Sequence, residues 1–159
     1  MRRRVCLLLC MGMLFAFSAC GGSVPPPPMN FSAEVSIVSR GSKQSAVLEA
    51  ERPGVLRLVY TSPKALAGME ISIESENARI EYMGMRAQAA AASLEGAAPL
   101  LDQVLLQLAQ PAEKKALRRL RGGGWERKGA ANGLDYIARL NEEGALQSVK
   151  AADLEILVG

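Results

Sequence analysis

The side chains able to do covalent or acid–base chemistry are few in this chain. It has no histidine and three cysteines, Cys6, Cys10 and Cys20. Without histidine the commonest general base and the commonest ligand for zinc, copper and iron are missing. Cys6 and Cys10 lie in an apolar N-terminal run. Only Cys20 stands outside it, so sulfur chemistry converges on one position. Carboxylates are the remaining route to an enzyme. Glu142 and Glu143 fall in an expected turn, and Glu70, Glu74, Glu76 and Glu81 fall mostly on outward strand positions. Glycosidase chemistry needs two carboxylates facing one cleft, and no pair is marked by spacing. Gly122–Trp125 lacks the Gly-Lys-Ser/Thr ending of a phosphate loop and follows no expected strand. The residues argue against an enzyme and call for no metal or cofactor.

Charge points the same way. The 159 residues carry a formal net charge of +3, but Arg2, Arg3 and Arg4 supply all of it. Beyond residue 19 the 19 basic residues fall to 16, matching the 16 acidic ones. A domain neutral on average lacks the overall field that draws proteins onto nucleic acid.

The three arginines precede Val5–Phe17, an uncharged, mostly apolar run of 13 residues. A bilayer span needs about 20 apolar residues, so this run suits the apolar region of a signal peptide. An uncleaved anchor helix reaching about Gly22 is the plainer alternative. Phe17-Ser18-Ala19-Cys20 then resembles the lipobox of bacterial lipoproteins, with Phe17 where that family prefers leucine. The resemblance implies cleavage between Ala19 and Cys20 and a diacylglyceryl group on the Cys20 sulfur. Two acyl chains give stable attachment where one is marginal. The expected organisation is a signal peptide over 1–19, a lipidated cysteine with a Pro-rich tether over 20–30, and a β-rich domain over 31–159. The protein is then held outside the cytoplasm on a cell membrane, inner or outer. Gly21–Asn30 includes four consecutive prolines, which favour an extended rod reaching roughly 30 Å at most.

Within the domain, Phe31, Ala33, Val35 and Ile37 alternate with polar residues, the period of a half-buried strand. Gly41-Ser42 reads as a turn, and Ala46, Leu48 and Ala50 repeat the alternation. Pro53-Gly54 turns the chain again. Leu56, Leu58 and Tyr60 then share a face, as do Met69, Ile71 and Ile73. Glu76-Asn77 reads as a turn, followed by Ala78, Ile80 and Tyr82. Ala87–Ala98 is Ala-rich and helix-permissive up to Gly96. Leu100, Leu101, Val104, Leu105 and Leu108 follow Pro99 at helical spacing, predicting a buried amphipathic helix over 99–110. Ala112–Arg121 is a second helix candidate, stopped by Gly122–Gly124. Leu134, Tyr136, Ala138 and Leu140 return to alternation, Asn141–Gly144 turns the chain, and Leu146, Val149, Leu154, Ile156 and Val158 complete the strands. Strands, then helices, then strands predict an α+β domain, with one or two helices packed on an antiparallel sheet.

The segment from Arg52 to Pro63 (RPGVLRLVYTSP) and the following ISIESENARIEY at Ile71–Tyr82 resemble the outer-membrane lipoprotein carrier superfamily. The LolA-like likeness covers about residues 31–83 and the closing hairpin at 134–158, and extends to compact clostridial germination-related lipoproteins. It implies a curved antiparallel half-barrel with helices on its concave face and a cavity for acyl chains. Leu58, Tyr60, Ile71, Ile73, Ile80, Tyr82, Met83 and Met85, with Leu101 and Leu105 of the helix, are the candidate lining; an ordinary filled core is the alternative. Lys114, Lys115, Arg118, Arg119 and Arg121 form a basic cluster suited to an anionic surface or lipid headgroups, or to a solvated helix end. Trp125 is either a partner anchor or a core aromatic at the start of a strand. The expected function is non-catalytic binding of a partner protein or a hydrophobic ligand at the envelope, with a structural lipoprotein lacking a dedicated ligand as the alternative.

Overall fold

The computed structural model describes Pro28, residues 30–112 and residues 116–159. The expected signal segment, Cys20, most of the expected tether, Lys114 and Lys115 lie outside the described residues.

Eleven strands form one antiparallel sheet. They are β1 (Phe31–Ser39), β2 (Ser42–Arg52), β3 (Val55–Ser62), β4 (Glu70–Glu74), β5 (Asn77–Tyr82), β6 (Met85–Ala90), β7 (Leu117–Arg119), β8 (Trp125–Ala131), β9 (Leu134–Leu140), β10 (Leu146–Ala151) and β11 (Leu154–Val158). Their order across the sheet is β6-β5-β4-β3-β2-β1-β11-β10-β9-β8-β7, so β1 and β11 meet at the centre and β6 and β7 are the free edges. Among the described residues a single α-helix, α1 (Ala97–Leu108), carries the chain from one edge toward the other, preceded by a short 3-10 turn at Ala91–Ser93.

The alternation of apolar residues becomes one buried face. Val35 stands opposite Ala46 and Val158, Leu48 opposite Leu58, Leu56 opposite Ile73, and Val149 opposite both Ala138 and Ile156. These residues and the helix side chains Leu100, Leu101, Val104, Leu105 and Leu108 form one cluster. Leu146 and Val149 are both buried although three apart, because a bulge between Leu146 and Ser148 shifts the register.

The helix packs beside β3, β4 and β8. In a flat sheet β4 and β8 would stand roughly 34 Å apart, and a twelve-residue helix is only about 18 Å long. The sheet therefore bends until both halves reach the helix. On the β8–β9 side hydrogen bonds add to the shared apolar core. Gln107 donates to the Ala130 carbonyl at 2.7 Å and accepts from the Tyr136 hydroxyl at 2.8 Å. Arg127 donates to the Gln110 carbonyl at 3.1 Å, just past the helix end.

Tyr136 reaches Gln107 only because its directly opposed neighbour is Gly129. A Cβ at residue 129 would sit 2.6 Å from the tyrosine oxygen, and the ring is fully buried and cannot swing aside. Gly129→Ala is expected to cost about 1–3 kcal/mol through overpacking, read as a lowered melting temperature. Tyr136→Phe should cost less, since it removes the hydroxyl and leaves the ring in place.

Several sequence expectations need correction. Met85–Ala90 is a strand, not helix: the Met83-Gly84 turn, with positive φ at both residues (50° and 80°), folds it back onto β5. Cross-strand pairing outweighs alanine's helix preference here, and the run before Gly96 is too short for a stable helix of its own. Ala112–Arg121 supplies no second helix among the described residues; Leu117–Arg119 pairs with β8 instead. The turns near Gly41 and Glu76 lie one residue earlier than expected, at Arg40-Gly41 and Ser75-Glu76. The helix, expected from Pro99, starts at Ala97, with Pro99 in its first turn. Pro53-Gly54 and Asn141–Gly144 turn where expected, the second closed by the Asn141 side chain accepting from the Ala145 amide at 2.7 Å.

Candidate functional site

The ten candidate lining residues fall into two groups of differing exposure. Leu58 and Leu101 are 0 % accessible, Ile73 1 %, Leu105 3 % and Tyr60 6 %. A void wide enough for an acyl chain would leave its lining open to anything the size of water, so the interior is filled at these five positions. Burial from water also raises the Tyr60 hydroxyl pKa.

The other five lie farther out. Ile71 stands opposite Leu58 on one side and Ile80 on the other, and Ile80 opposite Ala87. Tyr82 stands opposite Met85. All share the face of the core, but the apolar row runs past the helix toward the free edge at β6. Ile71, Ile80 and Tyr82 are half-buried, while Met85 is 66 % exposed. Met83, in the adjoining turn, is 82 % exposed. The loop from Pro63 to Met69 folds against this row: its Leu66 and Met69 pack on the core, and the Tyr82 hydroxyl donates to the Ala65 carbonyl. The result is an open apolar shelf over β4–β6, continuous with a filled core.

The basic cluster is divided. Arg118 and Arg119 are neighbours on β7 and so point to opposite faces. On one face Arg118 pairs with Glu126 at 3.0 Å, with Arg139 at 3.9 Å on its other side, and Glu126 is 5 % exposed. On the other face Arg119 lies 5.7 Å from the centre of the Trp125 ring, a cation–π distance. Arg121 is exposed in the following turn. Trp125 is half-buried against the core at the start of β8, consistent with a core aromatic.

Several carboxylates are held in ion pairs. Arg57 bridges Glu49 at 2.9 Å and Glu70 at 2.7 Å on the outer face. The Arg57 guanidinium holds the Glu70 carboxyl below the usual carboxylate range, with a smaller contribution from the Ser72 hydroxyl. Among the described residues no cluster of His, Cys, Asp or Glu is gathered as a metal site, and no helix is long and apolar enough to cross a membrane. A second concavity of about 400 Å³ lies over β11, β1 and β2, lined by Glu34, Ser36, Ser45, Val47, Thr61 and Leu157 among others.

The sequence reading misses Asp102. It sits in the helix at core spacing from Ala98 and Leu105, is 2 % exposed, and its Oδ1 has no hydrogen-bond partner among the described residues. Burial raises its pKa, with the Gln103 side chain opposing the shift. The signal was legible in the stretch LLDQVLLQL: one charge set at the spacing of the buried leucines.

No protein-family model matches the chain, and no curated protein does. Solved structures do resemble it. A LolA superfamily protein from Nitrosomonas europaea is 7 % identical, with a TM-score of 0.43, over 82 % of this chain and 67 % of its own. The lipoprotein LppX of Mycobacterium tuberculosis is 10 % identical, with a TM-score of 0.39, over 92 % and 91 %. An uncharacterised protein from Thermus thermophilus is 12 % identical, with a TM-score of 0.48, over 81 % and 76 %.

Proposed function

We propose that this chain is a lipid-anchored domain working outside the cytoplasm, which binds a partner protein without catalysis through the apolar shelf over β4–β6. The helix is read as lying in the concave side of the sheet, where it fills the interior and leaves binding to the rim. Attachment through acylated Cys20 is supported by Arg2–Arg4, the short apolar run and the Phe17–Cys20 segment. The observation that carries the binding role is the pair Met83 and Met85, 82 % and 66 % exposed beside half-buried Ile80 and Tyr82. Exposed methionines flanking an apolar surface suit protein contacts, because the side chain adapts to the shape it meets.

A photo-crosslinking residue at Met85 in living cells is expected to give one dominant protein adduct. Met85→Glu should lower recovery of that partner at least tenfold while changing stability by no more than about 0.5 kcal/mol, as for other exposed positions. An empty crosslinking result would sink the proposal. The half-buried row Ile71–Ile80–Tyr82 favours one further reading, an acyl chain laid along the shelf. It predicts that the full chain takes up a fluorescent fatty acid and that Tyr82→Glu abolishes uptake.

A further inference from the structure

Among the described residues the strand bordering the shelf, β6, pairs only with β5. Tyr82 and Met85 close a two-residue hairpin, and the Ala91 amide donates to the Glu76 carbonyl at 2.8 Å. Hydrogen-bonded positions alternate along an antiparallel strand, so Met85, Ala87 and Ala89 turn their backbone groups toward β5. Arg86, Gln88 and Ala90 turn theirs outward, to no strand. The edge has little protection against a new strand. Five of its six residues are exposed, none is proline, and its one charge, Arg86, is drawn back to Glu81 at 3.3 Å.

We propose that this edge pairs with the β6 of a second copy, antiparallel about a two-fold axis through Ala87, joining two sheets into one. The inference rests on the reading of this region as a protein-docking surface and names the partner. The register follows from side chains. A two-fold normal to the sheet keeps the apolar face continuous, so residues of like face must meet. With Ala87 on the axis, exposed Met85 lies over the small Ala89 of the second copy, and Arg86 lies opposite its Gln88. Centring on Arg86 would set two like charges directly opposite. Centring on Gln88 would bring Met85 to Ala91, which is already buried in the 3-10 turn. Six residues of strand bury less than the roughly 1,200 Å² of a standard stable interface. The pairing is therefore weak in dilute solution and strengthened where chains are concentrated side by side.

Cysteine trapping reads the register directly. In membranes from cells making the full chain, Ala87→Cys should give a disulfide-linked dimer on mild oxidation, above the background of the unaltered chain with its own cysteines. Ala89→Cys, facing Met85 of the other copy, should link at least tenfold less. Gln88→Pro removes an N–H that points outward and leaves β5 pairing untouched. Added to Ala87→Cys, it should lower the dimer at least tenfold with an unchanged melting temperature. Equal linkage at residues 87 and 89, or linkage indifferent to Gln88→Pro, overturns the pairing. If no dimer forms but the Met85 crosslinker still captures a different protein, self-pairing falls and the docking surface stands. If neither appears, both fall.

Discussion

Cys20→Ser is expected to move the protein from the membrane fraction to the soluble fraction almost completely, a change well over tenfold. Each buried methylene contributes about 0.8 kcal/mol, one acyl chain binds only reversibly, and two hold stably. On the proposed acylation of the Cys20 sulfur, the serine form would lose both chains at once. The chain beyond residue 19 is formally neutral, so it gains no general attraction to anionic lipid, and no described helix can span a bilayer. Alkaline washing of membranes followed by immunoblotting makes the measurement. A serine form that stays in the pellet with residues 1–19 attached would show that an apolar helix is the anchor and that the acylation reading is wrong.

The second large effect concerns Asp102. Its carboxyl is buried with an orphaned oxygen and a raised pKa. The sign of the pH dependence follows. Below the carboxylate pKa of the unfolded chain both states are protonated, and the residue costs nothing through ionisation. As pH rises past that value the unfolded chain ionises first, so stability falls, and it goes on falling until the folded-state pKa is passed. Asp102→Leu removes this cost and is expected to stabilise the protein by about 1–3 kcal/mol at neutral pH, or about 2–4 °C of melting temperature per kcal/mol. The advantage over the unaltered chain should shrink steadily toward pH 3. Asp102→Asn should lose the pH dependence while keeping a buried polar group. A leucine variant less stable than the parent at neutral pH would mean that the carboxylate is paired in the folded protein.

Much of this architecture is written in the chain as plain alternation. The buried positions of β1, β2 and β3 could be named from the two-residue period, and the buried leucines of the helix from their spacing. What escaped had physical reasons. β6 consists largely of alanine, too small to mark one face as apolar. β7 lies in a run of cations, where solvated helix and edge strand look alike. The bulge in β10 breaks the period between Leu146 and Val149. Asn132-Gly133, the strongest kind of hairpin signal, joins β8 to β9 with positive φ at both residues, yet the sequence reading sets no turn there. The candidate site was half legible. Ile71, Ile80, Tyr82 and Met85 lie on one sheet face, but a row of apolar side chains cannot reveal how far along it a helix will lie, and that decides which are filled in and which stay open.

The meeting of β1 with β11 at the centre of the sheet has a consequence for biogenesis. The seam that joins the two halves cannot zip until residues 154–158 have left the ribosome, so a nascent chain carries β1 without one of its two neighbours. Contacts this distant along the polypeptide form slowly. If the chain is exported as proposed, that delay is useful, because it would stay pliable until its last central strand is through, and stiffen only on the far side.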